Sequence, residues 1–145
     1  MSNLVQLVYV SRALFPASNN PSAVEPEVAQ ILAVSRTNNK RNGLVGVLYY
    51  GNGCFFQCLE GEVQAVDLLY AKLHYDARHN DLKLLSRRDI SQVSFQKWSM
   101  KYVSVDIDMK ILLASKGHAI FDPYKFKDET VQAILGLLLK ASQAT

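Results

Sequence analysis

Apolar residues along the chain fall in short runs separated by polar stretches rich in glycine, proline and asparagine, and the spacing within each run points to its element. Leu4 to Val10 reads Leu-Val-Gln-Leu-Val-Tyr-Val. It is β-branched and apolar on both faces, which predicts a central strand covered on both sides. Phe15 to Pro26 has the composition of a loop. Val28, Ile31, Leu32 and Ser35 then follow helical spacing, with Pro26 where a first-turn proline is tolerated and Gly43 as a stop, so a first helix is expected over Pro26–Asn39. Leu44–Tyr50 and Cys54–Glu60 read as two aromatic-rich strands joined by Gly51-Asn52-Gly53 as a three-residue hairpin loop. Glu62–Arg78 carries Val66, Leu69 and Leu73 on one stripe with an acid in its first turn, which predicts a second helix. Leu82–Asp89 and Trp98–Val105 read as two further strands. Met109–Ser115 and Asp128–Ser142 read as two closing helices, the last with an apolar stripe of Ile134, Leu137, Leu138 and Ala141.

The resulting order is βαββαββ followed by two helices. Its first six elements match the α+β, ferredoxin-like split βαβ arrangement, with two helices on one face of an antiparallel sheet. Because the first strand is apolar on its other face as well, the two C-terminal helices are expected to cover that side. Residues 1–105 are read as the domain proper and 106–145 as a helical extension packed on the sheet, with an output or assembly role.

The bulk numbers leave this picture unchanged. The chain has 145 residues, the size of one domain, with 49% hydrophobic and 20% charged residues. A net charge of +3, spread along the chain, does not mark a nucleic-acid binder. Cys54 and Cys58 fall on one face of one strand, about 13 Å apart at roughly 3.3 Å per residue, too far to bridge each other. Free thiols and a cytoplasmic location are the expectation, since no signal-peptide pattern or membrane-length apolar run is visible.

No phosphate-cradling glycine loop, HExxH pair or GxSxG elbow is present, and His74, His79 and His118 have no ligand spacing, so neither an enzyme nor a metal site is expected. Four features are unusual for a plain core. Tyr9 is a phenol in an aliphatic strand, and Gln57 an amide within Cys-Phe-Phe-Gln-Cys-Leu. Asn38-Asn39 closes the first helix, and Trp98 and Met100 share a strand face. Periodicity alone allows Tyr9 and Gln57 to be a buried pair that satisfy each other. An alternative reading is an RRM-like nucleic-acid module, which shares the βαββαβ order and would use Tyr49, Tyr50, Phe55 and Phe56 for stacking. The RNP1 pattern is absent, and a stacking sheet should be open and basic.

These residues lie within segments that resemble the BLUF family, sensors of blue light using flavin. The segments are Leu-Val-Tyr-Val-Ser around Tyr9, Asn38 to Tyr50, Phe-Phe-Gln-Cys-Leu-Glu-Gly over 55–61, Asp-Ala-Arg-His over 76–79, and Phe-Gln-Lys-Trp-Ser-Met over 95–100. They span roughly residues 4 to 105 in the family's order. The resemblance implies a flavin, FAD with FMN or riboflavin as alternatives, held non-covalently between the first two helices. It implies Tyr9 as electron donor, Gln57 as the switching amide, Asn39 as the clamp on the ring's polar edge, and Trp98 and Met100 as the pair that responds. Ile31, Ser35, Asn38, Lys72, Asp76, Arg78 and His79 complete the implied cofactor-binding set, with Lys72 standing where some members carry arginine. It further implies an unidentified downstream signalling protein as partner, self-association, and no catalytic residues.

Overall fold

Strand β1 (Leu4–Ala13) lies inside a five-stranded sheet of order β4-β1-β3-β2-β5. The others are β2 (Val45–Gly51), β3 (Cys54–Glu62), β4 (His79–Ile90) and β5 (Lys101–Tyr102). Helices α1 (Pro26–Asn42) and α2 (Val63–Leu73) occupy the crossovers of the split βαβ unit, and α3 (Asp106–Ser115) and α4 (Asp128–Gln143) follow the sheet, with a 3-10 turn at Pro123–Lys125 between them. The structure, a computed structural model, describes residues 3–14, 26–95, 101–102 and 105–143. Strands β1 to β4 pair antiparallel in the ferredoxin-like order, and β5 adds to β2 in parallel, Val47 facing Lys101 and Leu48 facing Tyr102.

The alternation of β1 and β3 divides the core. Val5, Leu7, Tyr9, Phe55 and Leu59 point to the face covered by Val28 and Leu32 of α1 and Val66 of α2. Val8, Val10, Cys54, Phe56 and Cys58 point to the other, covered by Met109 and Leu113 of α3 and Ile134, Leu135 and Leu138 of α4. Both thiols are free and buried. The C-terminal helices thus close the face that the double-sided pattern of β1 left in need of cover. This removes the RRM-like alternative: Tyr49 and Phe56 lie under α3 and α4, and Tyr50 and Phe55 face α1 and α2, so neither pair forms an open stacking surface.

Several expectations need correction. The hairpin loop has two residues rather than three, because Gly51 pairs with Cys54, leaving Asn52 and Gly53 with φ of 51° and 71°. Positive φ at both turn positions is what a tight hairpin following the sheet's twist demands. Helix α1 runs past Asn39 to Asn42 and stops at Gly43, whose φ of 71° lets the Leu44 N–H reach back to the Asn39 carbonyl at 2.8 Å. Helix α2 begins at Val63 with no acid in its first turn, since Glu62 still belongs to β3. It also ends at Leu73 rather than Arg78. Beyond Leu73 the Asp76 carboxylate accepts the Arg78 backbone N–H at 2.9 Å, a local bond that competes with helix continuation. Strand β4 therefore starts at His79, earlier than Leu82. Of the expected strand Trp98–Val105, Lys101 and Tyr102 are in β5; Trp98 and Met100 lie outside the described residues, as does 15–25 of the expected loop.

Gly46 has a packing reason. A Cβ there would stand 2.1 Å from the Cys58 carbonyl oxygen, so β2 approaches β3 more closely than any side chain at that position permits.

Candidate functional site

In the β1–β3 register Tyr9 stands directly opposite Gln57, so both side chains rise from the same face of the sheet. The Tyr9 hydroxyl donates a hydrogen bond to Gln57 Oε1. Both are buried, at 2% and 6% exposure, and they form the floor of a cleft of about 180 Å³ between α1 and α2.

The walls follow from the periodicity of the helices. On α1 the buried stripe through Val28, Leu32 and Ile31 continues to Ser35 and Asn39, and Asn39 is 1% exposed although it is an amide in a helix's last turn. Asn38 is one step round the helix, at the exposed rim. From α2 come Leu69 and Leu73, with Lys72 exposed at the mouth. The turn after α2 brings in Asp76 and Arg78, and the start of β4 brings in His79. The cleft thus gathers Tyr9, Ile31, Ser35, Asn38, Asn39, Gln57, Lys72, Asp76, Arg78 and His79 from five elements and one turn. Sequence reasoning did not name its apolar lining of Val34, Leu48, Phe55, Leu69 and Leu73. The signal was available, since Leu48 and Phe55 alternate in phase with Gln57, and Leu69 and Leu73 lie on the predicted stripe of α2.

The electrostatics differ sharply between floor and mouth. Burial, with Tyr70 and Asp76 nearby, raises the Tyr9 pKa far above the ordinary phenol value, so Tyr9 is a neutral hydrogen-bond donor. Its ring lies 5.4 Å from that of Tyr70 at 57°. At the mouth Arg78 grips Asp76 with Nε at 3.0 Å from Oδ1 and a terminal nitrogen at 2.7 Å from Oδ2. That guanidinium holds the Asp76 carboxyl below the usual range.

His79 is engaged on both ring nitrogens. Nε2 lies 2.7 Å from the Leu73 carbonyl, which can only accept, so Nε2 carries the proton. Nδ1 lies 2.8 Å from Ser11 Oγ and, in the neutral ring, accepts from that hydroxyl. The imidazole therefore ties the end of α2 to β1 beside the cleft. Ser11, fully buried and on the same face as Tyr9, was not identified from sequence.

The donor set fits a flavin. Asparagine and glutamine each present a donor and an acceptor side by side, matching a ring edge that carries one N–H and two carbonyls. The apolar walls suit a flat aromatic body, and the cations at the mouth suit a phosphate tail. Among the described residues no cluster of three or more His, Cys, Asp or Glu is placed to hold a metal, and no helix is long and apolar enough to cross a membrane.

Comparison with known proteins agrees with the geometry. Residues 4–101 match the family model described as BLUF, sensors of blue-light using FAD. The structure of BlsA in its photo-activated state aligns with a TM-score of 0.83 at 34% identity, over 94% of each chain, so the likeness takes in the C-terminal helices. BlrB, a BLUF protein in its dark state, aligns with a TM-score of 0.64 at 32% identity, over 79% of this chain and 82% of that one. Photoactivated adenylate cyclase subunit beta of Euglena longa is 30% identical over 105 residues, which is 72% of this chain, while the chain spans 12% of that relative's length.

Proposed function

The chain belongs to the family of sensors of blue light using FAD, and from that premise we propose that light drives an electron and a proton out of Tyr9, that Gln57 takes part in that proton movement, and that the rearranged Gln57 amide alters binding of a downstream protein. The family is one of sensors, so the chain is a photosensor rather than an enzyme.

The observation that carries this reading is the hydrogen bond from the Tyr9 hydroxyl to Gln57 Oε1 on the floor of the cleft. Bound flavin supplies blue-light absorption and a one-electron acceptor. A neutral, buried tyrosine has both an electron and a proton to lose, and it loses them most readily together, because a bare charge in this site lacks solvation. Gln57 Oε1 is the atom already placed to receive the proton. An amide that accepts this proton on Oε1 and gives one up from Nε2 is neutral again as its imidic tautomer, and when an electron and a proton return to Tyr9 it is left tautomerised or as the rotated amide; either form exchanges the donor and acceptor it presents to the cleft. Asn39 would clamp the ring edge. Lys72 and Arg78 would meet the phosphates, with Arg78 oriented by Asp76. Lys72 and Arg78 at the mouth favour a flavin whose tail carries phosphate, FAD or FMN, over riboflavin. Trp98 and Met100 are assigned the response that carries the change onward.

The deciding measurement is the absorption spectrum of flavin-loaded protein in darkness and under blue light. The wild type should show a small red shift that reverses in the dark, as a hydrogen bond to the ring carbonyl strengthens. Gln57→Leu should bind flavin with no such shift. A red shift retained in Gln57→Leu would remove the amide from the mechanism.

A further inference from the structure

Glu60 is fully buried, three residues beyond Gln57 on β3. Strand alternation turns it away from the cleft, to the face covered by α3 and α4. Its carboxylate receives three hydrogen bonds. Gln6 Nε2, directly opposite on β1, donates to Oε2 at 2.8 Å. The backbone N–H groups of Ser94 and Phe95 donate to Oε1 at 2.6 and 3.1 Å. Phe95 inserts its ring, 2% exposed, into the core shared by Phe56, Cys58 and Met109.

A buried carboxylate is an expensive way to fill a core position, and a hydrophobic residue of similar volume commonly serves stability as well or better. What a hydrophobic residue cannot do is accept two backbone N–H groups. Those two groups sit at a particular place in the topology. Strands β4 and β5 are the opposite edges of the sheet, so the chain between Ile90 and Lys101 must pass from one edge to the other. Glu60 is on β3, the middle strand of the five, and takes hold of that connection partway across.

We propose that Glu60 is a positioning residue that pins the 94–95 backbone to β3, so that displacement of β3 at Gln57 on one face is passed to the connecting chain on the other. The proposal rests on Gln57 being the switching amide. Its distinct content is the route: the signal crosses the sheet within β3 and leaves through two peptide N–H groups.

The test compares full-length, flavin-loaded wild type, Glu60→Gln and Glu60→Leu, dark and lit. The chain's single tryptophan, Trp98, lies three residues past Phe95 and reports on the pinned segment through its emission and its quenching by acrylamide. Glu60→Gln keeps an acceptor oxygen for the two N–H groups and presents its NH2 to Gln6, whose amide turns over to accept, so it should behave as wild type. Glu60→Leu should keep the flavin red shift, raise dark-state Trp98 quenching severalfold and abolish its response to light. Wild-type Trp98 behaviour in Glu60→Leu would overturn the proposal. Should Glu60→Leu not fold, amide hydrogen exchange on the wild type decides the matter. Ser94 and Phe95 should be protected in the dark like the strand amides and less so in the light. Unprotected amides in the dark, or protection unmoved by light while the flavin band shifts, would overturn it. Absence of any flavin shift in the wild type would instead sink the Tyr9–Gln57 reading and leave the dark exchange and dark quenching to judge the anchor alone.

Discussion

Tyr9 is a neutral phenol at ordinary pH by its intrinsic chemistry, and its surroundings extend the pH range over which it stays one. Burial first, and then Tyr70 and Asp76, raise its pKa, so the phenol titrates at higher pH in the folded chain than in the unfolded one. Stability from this group is fully present below about pH 10, the unfolded value, and is lost as pH rises beyond it. Thermal melts should therefore show wild type losing stability above pH 10 more steeply than Tyr9→Phe, while Tyr9→Phe binds flavin and shows no red shift at any pH. Asp76 has the opposite sign. Its lowered pKa gives stability that is present above the unfolded value near 3.9 and is lost as pH falls through the folded one. In Asp76→Asn the guanidinium of Arg78 loses its charged partner and its orientation. Flavin affinity should fall, as read by fluorescence titration, with the size of the red shift unchanged. At this scale the sequence exposed the polar anomalies, because a phenol and an amide in apolar strands stand out. It allowed their mutual bond but did not expose the partners of His79: its engagement with Ser11 and Leu73 depends on where α2 ends, and that is set by a side-chain bond from Asp76.

The elements were legible wherever one face is apolar and the period is unambiguous, as in β1, α1 and α4. Boundaries were less so. The predicted α2 runs five residues past its observed C-terminal end because Asp76, Ala77 and Arg78 are compatible with a helix by propensity, while the Asp76 carboxylate bonds the backbone into a turn. The predicted hairpin loop is one residue longer than the observed one because Gly51, a turn former by type, is a paired strand residue. Sheet spacing supplies a test at Gly46. Gly46→Ala drives a methyl into the Cys58 carbonyl, and urea denaturation should show a loss of about 1–3 kcal/mol or more. Gly53→Ala should cost less, since nothing stands within 4 Å of its Cβ and the strain is that of positive φ alone.

At the scale of the whole molecule the sheet is shared between two cores with different duties. The α1–α2 side holds the cleft, and the α3–α4 side is the larger apolar body that keeps the sheet from being exposed. Tyr49 reaches across this second side, its hydroxyl 2.8 Å from Asp106 Oδ1 at the start of α3. Removing residues 106–145 would uncover Val8, Val10, Val47 and Phe56, so a chain cut there should associate or precipitate, as size-exclusion chromatography would show. The extension is therefore a structural lid on the sheet whatever else it does, as the apolar residues on both faces of β1 led one to expect. Cys54 and Cys58 lie beneath that lid, and burial raises the Cys58 thiol well above its ordinary pKa. Since the thiolate is the reactive form, Cys58 stays inert for as long as α3 and α4 are docked. The chain thus carries a built-in clock for its own helix opening. Where the helices reclose faster than a thiol reagent reacts, the rate at which it labels Cys58, divided by the rate for an unhindered cysteine, is the fraction of time the lid stands open, and comparing that fraction in light and in darkness measures whether the lid senses the photon at all.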